Sequence, residues 1–332
     1  MNTLKKIGLT ALAGTLVATS VFAGEMAVTG SAGITLANQD KTTKGNGFTM
    51  SDEITFSGGG ELDNGWTVAV SMQLDNNATA TGTSNNMDNR SITIGMGDMG
   101  TVQFIGHGGD SALGAVDDVL PYADGNESWE ILSTTTGGGT LAGSIAGNSN
   151  ENMMSYNNSS IVDGLSFTAT LTPSNGGIAS QSSTENRETT MSYAVAYTGV
   201  DGLTVGYAID ENSEAGAAQT DYKTMYAKYA YGPVTVGYTT SDEDSATAAD
   251  NDEFTAYGIS YAVSDDLTIS YNESTYDAAT VAADQEQQAI AVSYTMGSMA
   301  ISATSVTMDN AGGTTNAIDD VQGYELNLSF AF

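Results

Sequence analysis

The 332-residue sequence has no cysteine, three prolines, one histidine and only eight basic residues against 40 acidic ones. Each shortage excludes something. Without cysteine there is no disulfide framework and no thiolate metal site. A lone histidine, His107, leaves zinc without a second imidazole and forces any Ser-His-Asp triad to be built around one residue. No other constellation supports catalysis, so an enzyme is not expected. A formal net charge of −32 argues against nucleic acid, because phosphate recognition needs clustered Lys and Arg. No apolar run approaches the roughly eighteen residues that a membrane-crossing helix requires.

What is present begins at the N-terminus. Lys5 and Lys6 precede an uncharged stretch of apolar and small residues from Ile7 to Val17, and Val21-Phe22-Ala23 places small residues where a signal peptidase reads. This predicts a secretory signal peptide over residues 1–23 and a single mature domain over 24–332. The alternative is a buried N-terminal helix. An exported chain without disulfides needs another source of stability, and a large closed sheet is one.

The dominant signal downstream is a period of two. Leu203-Thr-Val205-Gly-Tyr207-Ala-Ile209 alternates large apolar residues with small or polar ones. The pattern recurs in Leu165–Leu171, Leu267–Tyr271 and Tyr324–Phe332. Such alternation predicts strands with one apolar and one polar face. The polar face carries Ser, Thr, Asn, Gln and Gly, with Glu325 in the last strand. Strands of about ten residues match the thickness of a bilayer when tilted. Tyr229, Tyr231, Tyr238, Tyr257 and Tyr261 are expected near strand ends, as an aromatic girdle.

The connections alternate between short and long. Short turns fall at 63–65, 97–100, 162–164, 200–202, 231–233, 264–266 and 297–298, rich in Asn, Asp and Gly. Longer polar stretches cover 38–47, 76–88, 107–151, 174–187, 211–219, 242–251, 277–284 and 309–319. Fifteen connections join about sixteen strands, an even number that closes up and down. The fold class is therefore all-β: a transmembrane antiparallel barrel with a lumen too wide for side chains to fill. An acidic exported surface also suits attraction of cations.

Taken together, the leader, the alternation, the first strand Glu25–Leu36 and the alternating last strand ending in Phe332 resemble a Gram-negative general-diffusion porin of the alphaproteobacterial type. The resemblance covers the whole chain. It implies an outer-membrane location, passive diffusion of small hydrophilic solutes and ions, contact with outer-membrane lipids, and a homotrimer of sixteen-stranded barrels. It makes Phe332 the signal read by the outer-membrane assembly machinery. It also implies that the third long loop, 107–151, folds into the lumen as a constriction carrying Asp110, Asp117, Asp118, Asp124, Glu127 and Glu130. Family members usually face that loop with several Arg or Lys on the wall. This chain departs from them: His107 stands where an Arg is common, and Asn152–Tyr156 lacks one too. A cation-preferring channel is the expectation. A structural or adhesive surface β-protein without channel activity is the alternative.

Several residues carry narrower expectations. Gln103 and His107 share a parity opposite to Val102 and Phe104, which places them on the lumen wall. Lys228 fits either face, with the lumen preferred. Arg90 and Arg187 share parity with apolar residues and are expected at the outer rim. Trp66 suits a periplasmic girdle, and Trp129 packing within the inward loop. Asp242-Glu-Asp-Ser and Asp250-Asn-Asp-Glu253 lack the glycine and spacing of an EF-hand. They read as a solvated loop, with weak divalent-cation binding by the acidic loops as the alternative and no cofactor expected. Gly58-Gly-Gly60, read as mid-strand, suggests a bulge or a close subunit approach. Gly137-Gly-Gly139 reads as loop.

Overall fold

A computed structural model describes residues 26–40, 47–75, 87–116, 118–123, 149–150, 152–173, 189–212, 220–245, 251–279, 281–313, 315 and 320–332. The leader, Lys41, Lys44, Asp117, Asp124, Glu127, Trp129, Glu130, the second glycine run and Arg187 lie outside these residues. The strands, in order, are β1 (Ala27–Gln39), β2 (Gly47–Glu61), β3 (Thr67–Asp75), β4 (Met87–Gly95), β5 (Thr101–His107), β6 (Gly109–Asp110), β7 (Ser149–Asn150), β8 (Met153–Val162) and β9 (Leu165–Thr172). They continue as β10 (Thr190–Val200), β11 (Leu203–Asn212), β12 (Thr220–Tyr231), β13 (Val234–Ser245), β14 (Asp252–Ala262), β15 (Leu267–Ala278), β16 (Gln285–Met296), β17 (Met299–Asp309) and β18 (Val321–Ala331).

Sixteen of these form one closed antiparallel barrel, each strand paired with its neighbours in sequence. The one interruption is between β5 and β8, where β6 and β7 pair with each other as a separate two-stranded stalk. The stalk sits at the root of the third loop; the sequence pattern gave no sign of it, because two residues are too few for periodicity. Closure is made by β1 and β18, from Ser31 opposite Ala331 to Gln39 opposite Gly323. Beyond the ladder, Phe332 donates its N–H to the Gly30 carbonyl at 2.9 Å, and Gly30 donates back to Phe332 at 2.8 Å. Gly30 is required there, since a Cβ would lie 2.7 Å from the Phe332 ring.

The short turns fall where the sequence places them. Most use a glycine at positive φ, as at Gly202 (φ 75°). The turn after β14 has none and uses a hydroxyl instead: Ser264 Oγ accepts from the N–H groups of Asp266 and Leu267 at 3.3 and 3.1 Å.

Alternation sorts the two faces. Along β15, Ser270, Asn272, Ser274 and Tyr276 are buried inside the barrel, while Ile269 is 45% exposed on the outside. Outward residues on the other strands include Tyr207, Val236, Ile259, Ile290, Leu326 and Phe330. A band of apolar side chains exposed around a closed sheet is the surface that lipid requires.

Four expectations need correction. The acidic run 242–245 is not loop: it is the end of β13, and Asp242 stands opposite Glu253 in the β13–β14 ladder. The ladder continues there because inter-strand hydrogen bonding goes on wherever a partner strand is present, whatever the charge of the side chains. Gly58-Gly-Gly60 is neither mid-strand nor a bulge. It lies near the turn end of β2 and pairs in regular register with Val70, Ala69 and Val68; at Gly59 a Cβ would sit 2.6 Å from the Val68 carbonyl. Tyr238 and Tyr257 are not at strand ends but face each other in mid-ladder, whereas Tyr229, Tyr231 and Tyr261 lie near the turns. The inner face is not uniformly polar: Phe254, Val306, Met308 and Val321 are buried inside.

The facing assignment has a direct check. Ile269 lies between the outward Leu267–Tyr294 and Tyr271–Ile290 pairs, in the middle of the apolar band. Ile269→Arg should cost about 2–4 kcal/mol of barrel stability, whereas Ser51→Arg points from β2 into the open lumen, where its side chain is exposed, and should cost far less. Equilibrium unfolding from detergent or vesicles measures both, and the reverse ranking would invert the assignment.

Candidate functional site

The site is the lumen, and its shape is set by how the third loop lies in it. From the stalk the chain does not cross open space. Residues 111–116 and 118–123 run along the inner wall, fastened to strand after strand. Ala112 donates its backbone N–H to Thr170 Oγ1 on β9 at 3.1 Å, Leu113 to Ser192 Oγ on β10 at 3.0 Å, and Ala123 to Ser270 Oγ on β15 at 2.8 Å. Each such bond contributes about 1 kcal/mol net. They answer a specific need, since a loop inside a barrel has backbone groups that no ladder satisfies.

Apolar contacts alternate with these bonds. Ala112 and Leu113 pack on Ala194 and Ala208. Leu120 packs on Phe254, Ala256 and Tyr276. Tyr122 reaches the cluster of Ala289, Val306, Met308 and Val321. This explains the inward apolar residues on β14, β17 and β18: they are the floor on which the loop rests. A signal for them exists in the sequence. Along β17 the apolar residue shifts parity, from Ile301 facing out to Val306 and Met308 facing in, and that shift marks where the inner wall is covered.

Two wall glycines make room. At Gly237 on β13 a Cβ would lie 2.6 Å from Pro121 Cδ and 3.0 Å from Leu120 Cδ2, and at Gly258 on β14 it would lie 3.3 Å from the Pro121 carbonyl. The chain therefore presses its proline against bare backbone.

These described loop residues lie against the β9–β18 side, and on β1–β4 no described inner residue is buried. Between the loop root and this side lies a cavity of about 370 Å³, lined by Asn89, Gln103, His107, Asp110, Ser155 and Thr170 among others. Gln103 and His107 thus lie on the lumen side, beside Asp110.

Lys228 is on the inner face of β12, and its ammonium donates to the Val119 carbonyl at 3.1 Å. It holds the loop. Lys223, on the outer face of the same strand, pairs with Asp244. Arg90 lies at the end of β4 against Gly106, where a Cβ would stand 2.7 Å from its Nε, and donates to the Gly106 carbonyl at 3.3 Å. These are the basic residues among the described ones, and each is engaged by a carbonyl or carboxylate.

Of the six loop acids, Asp110 and Asp118 are described, and both are exposed to the lumen. The protein around Asp118 strips part of its hydration. That desolvation, and then the charge of Asp110, hold its carboxyl above the usual carboxylate range. No group of three or more His, Asp or Glu positioned to hold a metal ion occurs among the described residues.

Residues 8–331 match the family model of the Gram-negative porins. This chain belongs to that family. No curated protein matches its sequence. Among solved structures, this porin is similar to the anion-selective porin from Comamonas acidovorans, at 14% identity and a TM-score of 0.68 over 93% of this chain and all of that one. It is likewise similar to Salmonella typhi OmpF, in a complex with daunomycin, at 15% identity and 0.67 over 93% and 98%. An alanine variant of the Rh. blastica porin gives 16% and 0.66 over 93% and 100%. The porin is a channel of the outer membrane, for diffusion and not for catalysis.

The fastening of the loop is testable at Gly237. Gly237→Leu places a side chain where Pro121 now rests, and overpacking of this kind costs about 1–3 kcal/mol. The loop should yield before the sheet does, moving into the lumen, so single-channel conductance falls while barrel stability changes little. Unchanged conductance would mean the loop does not depend on that contact.

Proposed function

We propose that this porin prefers cations over anions among the small hydrophilic solutes it passes. The observation that supports this reading most is the balance of charge on the lumen side. Lys223 pairs with Asp244 outside the barrel, which leaves Arg90 and Lys228 as the described bases on that side, while Asp110 and Asp118 are exposed on the loop and Glu325 lies on the inner parity of β18, opposite Ala37. Carboxylates lining a pore favour cations. Asp117, Asp124, Glu127 and Glu130 would add to the loop's share. The anion-selective neighbour from Comamonas acidovorans shares the fold, so the fold does not set the sign; the lining charges must.

Residues 1–23 act in this reading as a cleaved signal peptide, Phe332 as the assembly signal, and lipid as the solvent of the outer band. Three copies assemble, as in the trimer form of Vibrio cholerae OmpT, a neighbour with a TM-score of 0.66 at 14% identity. Removing Phe332 takes away the two Gly30 hydrogen bonds that extend the β1–β18 seam. The truncated protein should therefore insert poorly, and a normal surface yield would contradict the role.

Selectivity is read from the reversal potential of a planar bilayer under a salt gradient. Cation preference is expected, weakening as salt rises, because the Debye length shrinks from about 10 Å at 0.1 M to 3 Å at 1 M. Because its carboxyl is raised, Asp118 takes up a proton at a higher pH than ordinary carboxylates. Selectivity should thus begin to fall above the usual carboxylate range, and Asp118→Asn should remove that early step. Anion preference in the unmodified channel would overturn the reading.

A further inference from the structure

The wall facing the loop carries a feature that the sequence pattern did not single out. Glu53 lies on the inner parity of β2, between Ser51 and Thr55, and is opposite Asp75 on β3 and Ser31 on β1. Its carboxylate is not left to wander. Gln73, on the inner face of β3, donates its amide N–H to Glu53 Oε2. Asn89, on β4, donates in turn to Gln73 Oε1 at 2.5 Å. Asn89 itself abuts Gly108 at the loop root, where any Cβ would collide with its amide, and it lines the cavity that contains Asp110. The row Glu53–Gln73–Asn89 therefore crosses three strands of the open wall and ends at the root of the acidic loop.

The chemistry of this row has a direction. Asn89 gives its N–H to the Gln73 oxygen, which leaves the Gln73 N–H for the carboxylate, so the two amides are oriented as donors toward Glu53. An amide oriented this way holds an anion and does not neutralise it. A fixed carboxylate thus stands on the open inner wall, in the row that ends at the cavity containing Asp110. We propose that Glu53 is a selectivity-determining residue of the channel, attracting metal cations and small cationic solutes, with Gln73 and Asn89 as its positioning residues. Permeant ions then meet a carboxylate on the open wall as well as those on the loop, beside the lumen-side bases Arg90 and Lys228. This deepens the cation-preferring reading and rests on it for its sign.

The test compares adjacent residues of one strand. Asp52 and Glu53 carry the same charge, but Asp52 has the outward parity of Met50 and Ile54, both exposed on the barrel's outer face. One unit charge acting over about 10 Å of water changes the local concentration of a monovalent ion by about twofold. Glu53→Gln should therefore lower the cation-to-anion permeability ratio by about twofold or more at low salt, where screening is weak, while Asp52→Asn leaves it unchanged. Glu53→Ser, which matches its neighbours on the inner face, serves if the Gln variant does not assemble. Gln73→Leu should lower the ratio in part, and should have no further effect in the Glu53→Gln background, because the two act as one unit. An unchanged ratio in both neutral variants, or an equal fall with Asp52→Asn, overturns the role of Glu53. Additive effects of the Gln73 and Glu53 changes overturn the positioning. The outcome stays separate from the broader reading: that reading fails on the sign of selectivity in the unmodified channel, and this one on the shift between variant and parent.

Discussion

Lipid offers backbone groups no hydrogen-bond partner, and the rest of this structure follows from that constraint. A sheet in a bilayer has no tolerable edge, so the first strand must find the last. The seam between β1 and β18 does this with nine residue pairs and a final exchange between Gly30 and Phe332. Closure fixes an even number of antiparallel strands, and alternation then dictates that every strand offers one face to lipid and one to the interior. Sixteen strands leave the interior too wide to be filled by wall side chains alone.

The third loop answers that width. It is a backbone without a ladder, placed inside a barrel, and it meets its needs by borrowing hydroxyls from the wall: Thr170, Ser192 and Ser270 accept its N–H groups. Bare backbone at Gly237 and Gly258 admits Pro121, and inward apolar residues receive Leu113, Leu120 and Tyr122. Along one side of the pore the described loop residues Ala112, Leu113, Leu120 and Ala123 are thus buried against the wall. On β1–β4 the described inner residues are exposed or half-buried. The lumen's asymmetry is a packing property first, and an electrostatic one second.

Strand number, hairpin positions and outward parity were legible in the sequence because each depends on local pattern: a period of two, and turn residues that tolerate positive φ or cap their own backbone. The inner face was less so. Polar residues at lumen positions look alike whether they hold the loop, as Ser192 does, or face water, as Ser51 does; only the path of the loop distinguishes them. Lys228 remained ambiguous for the same reason, since parity is a weak guide where Tyr and Ala alternate on both faces. The Glu53–Gln73–Asn89 row escaped notice because its members are far apart in sequence and neighbours only through register. The strand ends were underestimated, as acidic residues such as Asp242 suggest loop while their backbone continues the ladder.

The seam has a kinetic consequence. Thr35 and Asn327, whose side chains bond across it at 2.6 Å, are 292 residues apart in sequence. Bringing such distant segments together carries an entropic cost that local hairpins do not share. The fifteen pairings between strands that are neighbours in the barrel sequence can in principle form before this contact, but no partial set of them is free of edges. Because β18 and Phe332 complete the seam with β1 and Gly30, every stage before that contact leaves adhesive strand edges that something other than the barrel has to cover.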